Sequence, residues 1–452
     1  MTTASRRARP ARFFVETLGC PKNVVDSEKV VASLEADGLS PAASPGEADL
    51  VVVNTCAFVE AARVESVETV LALAAARRPG ARLVVTGCLA ERYGSELAEA
   101  LPEADAVVGF EGEGSLSEVL VDPPRRKPVG VRDLLELPRP APTAPWAYLK
   151  VAEGCDRACA FCAIPSFRGP QRSRPAEAVV SEARALVEGG AAELVLVAQD
   201  LASYGRDAGE PGALAPLLHR LDALRPDGLV RIRLLYLYPS EVRGPLLASM
   251  LDLPSVVPYL DLSLQHAAPA LLRRMRRWGS GDRFLELVEG IRAEVPGAAF
   301  RSSFIVGFPG ETEDHHEELL GFLRAAELDW AGFFAFSPED GTPAADLDGA
   351  VPADVVGERL RELGEVQDPV TASLRDALVG AEVEVLVDRV DDDGAPVGRT
   401  HREAPEIDGV VRLARGPARP GDLVRARVVG AVGPDLVAEP APVAGARREG
   451  AA

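Results

Sequence analysis

The stretch GCDRACAFCAIPSFRG, residues 154 to 169, sets three cysteines, Cys155, Cys159 and Cys162, within eight positions and offers no fourth. Three thiolates at this spacing on one loop can ligate three irons of a cubane cluster. The fourth iron is then open, and an open coordination position separates a reactive metal centre from a structural one. The alternative is a zinc site closed by a histidine, but His219, His266, His315, His316 and His401 all lie far away in sequence.

Cys20, Cys56 and Cys88 complete a total of six cysteines. Each ends a short β-rich apolar run, RFFVETLGC (12–20), ADLVVVNTC (48–56) and ARLVVTGC (81–88), and each run is followed by a helix-like stretch. Strands alternating with helices imply a parallel sheet whose carboxyl edge lines the ligand crevice. The three cysteines should therefore converge despite separations of 36 and 32 residues. A second cluster with three protein ligands accounts for them; the alternative is that each is a small buried apolar residue. Disulfides suit neither two trios nor a reducing compartment.

The elements that must position these trios form three sections, and the expected fold class is α/β. Residues 12–122 read as an open α/β domain, and the Pro- and Arg-rich residues 123–142 as a linker. Residues 143–370 hold six strand candidates with intervening helices, the pattern of a partial (β/α)6 barrel with its site at the carboxyl edge. Residues 371–440 read as a small OB-like β-barrel, and 441–452 as a disordered tail.

No apolar run approaches the ~18 residues of a membrane helix, and the N-terminus makes a poor signal peptide, so the expected location is cytoplasmic with no membrane partner. The net charge of −20 and pI near 4.9 disfavour nucleic acid and suit a basic macromolecular partner. Residues 371–440 carry nine Arg against thirteen Asp plus Glu, a balance of −4. Two other classes stand beside an enzyme: a nucleic-acid-binding protein with zinc-closed sites, and a two-cluster electron carrier. The carrier explains neither the missing fourth cysteines nor the chain's size.

CxxxCxxC after the first strand of a β/α barrel resembles the radical S-adenosylmethionine (SAM) superfamily. GCPKNVVDSE (19–28), NTCAFVEAA (54–62), TGCLAERYG (86–94), FRGPQRSR (167–174), VAQDLASYG (197–205) and GFPGETED (307–314) resemble the methylthiotransferases within it. That resemblance covers about residues 12 to 440 and makes the C-terminal barrel a TRAM domain. It implies two 4Fe-4S clusters, one on Cys20, Cys56 and Cys88 and one on Cys155, Cys159 and Cys162, the second binding SAM. It also implies that one SAM methylates a sulfur at the first cluster and another yields a 5'-deoxyadenosyl radical that takes hydrogen from the substrate. GCPKN and GRTHREAPEIDG (398–409) resemble the members that methylthiolate the β-carbon of an aspartate in small-subunit ribosomal protein S-twelve, free or in the subunit. The members acting on tRNA adenosine, the alternative reading, have Gln and Met where Pro21 and Lys22 stand. A sulfur donor and an electron donor of flavodoxin or ferredoxin type are implied as partners.

Further SAM contacts are expected from Glu188, Gly189 and Gly190 before the second barrel strand and from Gln199 and Asp200 at its end, and Arg168, Arg172 and Arg174 are expected to meet a carboxylate of SAM or of the substrate aspartate. A helix cap, turn residues and a solvated loop are the respective alternatives. GFPGE (307–311) reads either as a close approach to adenosine or as a turn, His315 and His316 as exposed helix surface, and RRMRRW (273–278) as a basic helix face.

Overall fold

The computed structural model describes residues 11–120 and 133–441. The tail beyond 441 and the first half of the expected linker, residues 123–132, lie outside the described residues.

The first section is a five-stranded parallel sheet of β1 (Arg12–Thr17), β2 (Ser40–Pro41), β3 (Leu50–Thr55), β4 (Arg82–Gly87) and β5 (Ala106–Val107), in the order β2-β1-β3-β4-β5. The helices α1 (Pro21–Ala36), α2 (Glu60–Ala76) and α3 (Cys88–Ala100) connect it. Every residue of the central strand LVVVNT is buried, as a strand covered on both faces requires.

The middle section carries β6 (Trp146–Lys150), β7 (Ala152–Glu153), α4 (Ile164–Arg168), β8 (Arg172–Ser173), α5 (Ala176–Glu188), β9 (Glu193–Val197), α6 (Leu214–Asp222) and β10 (Arg231–Leu234). It continues with α7 (Gly244–Asp252), β11 (Tyr259–Gln265), α8 (Pro269–Arg274), α9 (Gly281–Glu294), β12 (Ala299–Val306), α10 (Glu313–Ala326), β13 (Trp330–Ala335) and α11 (Ala353–Asp376). Strands β6, β9 and β10 pair in parallel, as do β11, β12 and β13, and parallel bridges Ile232–Val256 and Leu237–Leu262 join the two sets. Six parallel strands in chain order make the partial (β/α)6 barrel. Side chains alternate across it: Leu194, Leu196, Leu234, Leu260, Phe300 and Phe304 pack under the helices, while Tyr148, Val195, Tyr259, Ala299 and Trp330 line the concave face.

Helix α11 runs past residue 371 and packs on β13, and the first strand of the C-terminal section begins at Glu382. Strands β14 (Glu382–Val390), β15 (Pro396–Arg399), β16 (Val411–Leu413), β17 (Leu423–Val432) and β18 (Asp435–Pro440) close a barrel in the order β14-β15-β16-β18-β17. β15 has only four residues, all buried, so no alternation marks it in the sequence.

The three sections interlock. The segment 399–408 of the third enters the concave face of the partial barrel, where Arg231 donates to the Arg399 carbonyl at 2.8 Å, Arg233 to the His401 carbonyl at 2.8 Å and Tyr259 to Asp408 at 2.6 Å. Glu193 lies between Arg233 at 2.7 Å and Arg399 at 2.8 Å, all three side chains buried. Ala404 and, from the first section, Val25 share one apolar cluster with Tyr148 and Trp330. No described helix is long and apolar enough to cross a membrane.

Candidate active site

Cys20, Cys56 and Cys88 follow the carboxyl ends of the adjacent strands β1, β3 and β4. Cys20 occupies the N-cap of α1, where Pro21 starts the helix, and makes no capping bond, so its thiol stays available. Asn23 donates to the carbonyls of Leu18 and Thr55 at 2.9 and 3.1 Å, and Asn54 donates to the Asn23 carbonyl at 3.0 Å. The hydroxyl of Ser66 accepts from the Cys56 amide at 3.0 Å. These bonds tie the ends of β1 and β3 to α1, and the Thr55 hydroxyl, donating to the Thr86 carbonyl at 2.5 Å, adds the end of β4. Gly19 has φ +95° and a Cβ there would sit 2.8 Å from Cys56 Cβ, so the turn before the first cysteine needs glycine.

Cys155 follows β7, and Cys159 and Cys162 lie on the loop that leads into α4. The Ala160 amide donates to the Met275 carbonyl and the Ala344 amide to the Ala160 carbonyl, both at 2.9 Å, which clamps this loop to the barrel rim. Arg277 donates to Cys159 Sγ at 3.5 Å and lies against the Tyr238 ring, 4.0 Å from its centroid. Arg277 is thus a site residue hidden in RRMRRW, where nothing in the pattern separates it from its neighbours. Arg274, by contrast, donates to the Pro309 carbonyl and Asp348 on the rim.

One short helix joins the trios. Cys162 stands two residues before α4, and Arg168 ends it, reaching Cys88 Sγ at 3.1 Å and Asn23 at 2.8 Å with one nitrogen, Asp26 and Glu153 at 3.0 Å with the other. Lys150 completes this buried set, 2.6 Å from Asp26 and paired also with Glu153. Burial raises the Glu153 carboxyl, yet Arg168 and Lys150 outweigh it and hold the group down at about 2.

The thiols differ in charge environment. Burial pushes Cys88 and Cys162 up to about 12 and Cys155 to about 11, and it raises Cys56 as well. For Cys20, burial is outweighed by Lys22 and Arg168, with backbone amides helping, and its thiol lies below the usual value. Among the described residues no three His, Cys, Asp or Glu groups crowd together as ligands of one metal ion; a cubane instead holds its ligands apart around a core of several atoms. Thiol donors grouped in threes, a glycine-lined cradle and the unpartnered buried oxygens Asn54 Oδ1, Gln199 Oε1 and Asp200 Oδ1 fit clusters with a small polar ligand between them.

Gln199 and Asp200 do lie at the carboxyl end of β9. Gln199 donates to Glu153 at 2.5 Å, and Asp200 accepts from Arg157 at 2.5 Å. Glu188, Gly189 and Gly190 do not reach the site. They are exposed at the end of α5, and their amides close its last turn onto the Ala185 and Val187 carbonyls. They precede β9, so the length of that five-residue strand, about 16 Å, separates them from the cluster edge. Glu188 ends the helix, and Gly189 and Gly190 cap it. Arg174 also faces away: its terminal nitrogens are taken by the Lys150 carbonyl at 2.8 Å and Glu182 at 2.7 Å. Arg172 is exposed and pairs with Asp133. GFPGE is a turn closed on itself, Glu311 accepting from the Gly307 and Phe308 amides. His315 caps its own helix, but His316 is fully buried against Glu362 at 2.8 Å, contrary to the surface expectation, because the α10 face it occupies packs on α11.

A three-cysteine loop at the carboxyl edge of a partial β/α barrel, facing a second cysteine trio on a parallel sheet, defines a radical-SAM enzyme with an accessory cluster domain. Residues 12–109 match the uncharacterized protein family UPF0004, 149–323 the radical SAM superfamily and 379–440 the TRAM domain. The chain is 45% identical to the ribosomal protein uS12 methylthiotransferase RimO of Saccharopolyspora erythraea, covering 95% of both chains. It is 46% identical to the same enzyme of Moorella thermoacetica, covering 92% of this chain and 96% of that one. Among solved structures, the radical SAM methyltransferase TsrM of Kitasatospora setae superposes with a TM-score of 0.54 at 14% identity over 74% of each chain, a likeness of fold. The chain belongs to the RimO family of radical-SAM methylthiotransferases.

Proposed function

We infer that this enzyme replaces a hydrogen on the β-carbon of an aspartate in ribosomal protein uS12, the S-twelve protein of the small subunit, by a methylthio group. It uses SAM and two 4Fe-4S clusters. The observation that carries the reading is the single helix α4 shared by both trios, with Arg168 reaching from Cys88 to Glu153, two residues before Cys155. When bound, the clusters and SAM supply a radical for hydrogen abstraction and the methylthio group that takes the hydrogen's place. Cys20, Cys56 and Cys88 hold one cluster, and Cys155, Cys159 and Cys162 the other.

The chain's own residues place these centres and keep water out. Arg168 and Lys150 neutralise Asp26 and Glu153 at the seam between the first domain and the barrel. Gln199 and Asp200 present unpartnered carbonyl or carboxylate oxygens at the same edge, suited to the cationic end of SAM. The segment 399–408 closes the far end of the chamber. A small reductant of flavodoxin or ferredoxin type and a separate sulfur donor complete the reaction, and the location is cytoplasmic.

The test is anaerobic turnover of reconstituted enzyme with SAM, reductant and sulfide, offered uS12 and unmodified tRNA separately and read by mass spectrometry. A gain of about 46 Da, one methylthio group for one hydrogen in cluster-based radical chemistry, is expected on a uS12 aspartate. The same gain on tRNA alone would overturn the substrate assignment.

A further inference from the structure

Basic side chains in this protein are almost all arginine: lysine occurs only at positions 22, 29, 127 and 150. The three described lysines are all buried where α1 meets the barrel. Two have carboxylate partners, Lys29 with Glu182 at 3.4 Å and Lys150 with Asp26 at 2.6 Å. The neighbouring Arg168, Arg157 and Arg301 are paired with Asp26, Asp200 and Asp261. Lys22 alone lacks a carboxylate: it is only 8% exposed, its ammonium rests on the face of the Tyr236 ring, 3.6 Å from the centroid, and the acidic group it faces is the Cys20 thiol.

A buried cation without a carboxylate is costly, and an aromatic face and a thiol compensate only part of that cost. Its seat is itself held in an unusual shape. Tyr236 has φ +63°, a backbone conformation that non-glycine residues rarely take, fixed by its amide donating to Asp261 at 2.9 Å. Lys22 stands two residues after Cys20, on the first turn of α1, so an anion on its Nζ would lie beside the first cysteine trio. In an aspartate side chain the β-carbon is bonded directly to the carboxylate carbon. Holding that carboxylate therefore places the carbon to be modified.

We propose that Lys22, seated on Tyr236, is the specificity-determining residue that receives the side-chain carboxylate of the substrate aspartate; this rests on the uS12 reading above. A lysine suits the task because a compact point charge can follow one carboxylate without the fixed fork of an arginine.

The experiment compares wild type, Lys22→Met and Lys22→Arg as reconstituted holoenzymes. Each is titrated without reductant against uS12 and against uS12 with asparagine at the modified aspartate, and then assayed with reductant. Wild type is expected to bind the aspartate protein about ten- to a hundredfold more tightly than the asparagine one, the scale of a charge-assisted hydrogen bond. Lys22→Met should lose that preference and raise KM for uS12 by a similar factor, and Lys22→Arg should regain part of it. Iron content equal to wild type shows that the variants are assembled. Equal binding of both proteins by wild type overturns the proposal without needing any variant. So does a Lys22→Met enzyme that keeps the preference, whether or not the potential of its first cluster has moved, since a shifted potential alone would mark Lys22 as a neutraliser of cluster charge. A wild type that never adds the methylthio group to uS12 refutes the functional reading instead.

Discussion

Arg168 touches more of the site than any other side chain, reaching a cysteine of the first trio, two residues of α1 and the glutamate beside the second trio. Its side chain is 4% exposed, so Arg168→Met leaves Asp26 and Glu153 sharing only Lys150 in a dry environment. Loss of one member of a buried ionic set costs about 3–5 kcal/mol, and denaturant unfolding of the metal-free variant should show a fall of that order. An unchanged midpoint would mean that water enters the seam. The sequence shows Arg168 only as a cation near a cysteine motif, and a substrate or SAM carboxylate is a natural partner to expect. Its partners come from residues 23, 26, 88 and 153, a convergence that no local pattern encodes. Lys22 and Arg277 are unreadable as contacts for the same reason, whereas Cys20, Cys56 and Cys88 stand out because each ends a β-rich run, and Cys155, Cys159 and Cys162 because of their spacing on one loop.

At the level of elements, strand ends carry the chemistry and glycines allow the turns that follow them. Gly154, between β7 and Cys155, has φ +77°, and a Cβ there would strike the Pro170 carbonyl oxygen. Gly154→Ala should therefore displace Cys155 and leave the first trio intact. The expected outcome is iron falling from about eight to about four atoms per chain on reconstitution, one cubane in place of two, with SAM cleavage lost. Full iron content would show that the loop can refold around the methyl group. Strand direction also decides where Glu188, Gly189 and Gly190 fall. They stand near β9 in sequence, but at its amino end, and in a parallel sheet the amino and carboxyl ends of the strands lie at opposite edges, the crevice being at the carboxyl edge. Gln199 and Asp200, only ten residues on, lie at the carboxyl end.

Across the whole molecule, the C-terminal domain is fastened into the barrel through buried charges as well as apolar contact. Glu193 is central: burial raises its carboxyl, but Arg399, Arg233 and Arg231 outweigh burial and hold it at about 2. A carboxyl lowered from its ordinary value of about 4.3 stabilises the fold fully above that pH, and the stabilisation disappears as pH falls toward 2. Metal-free protein should accordingly lose about 3 kcal/mol through this group over that window, and Glu193→Gln should be less stable at pH 6 and flatter between pH 4 and 2. Parallel pH profiles for the two proteins would show that Glu193 is not the fastening. Much of this architecture is legible from periodicity and turn residues, including three sections and a terminal β-barrel. The interlock is not, because Arg375, Arg399 and Arg402 count toward the domain's charge of −4 yet are spent on Glu403, Glu193 and Asp329 inside the molecule.

That interlock sets an order of assembly during synthesis. Residues 399–408 are translated after every strand they seal against, so a nascent barrel waits with Arg231, Arg233 and Glu193 facing water until the last part of the chain emerges. All six cysteines have by then been made, the final one at position 162. The cluster-bearing edges thus exist before the chamber has a bottom.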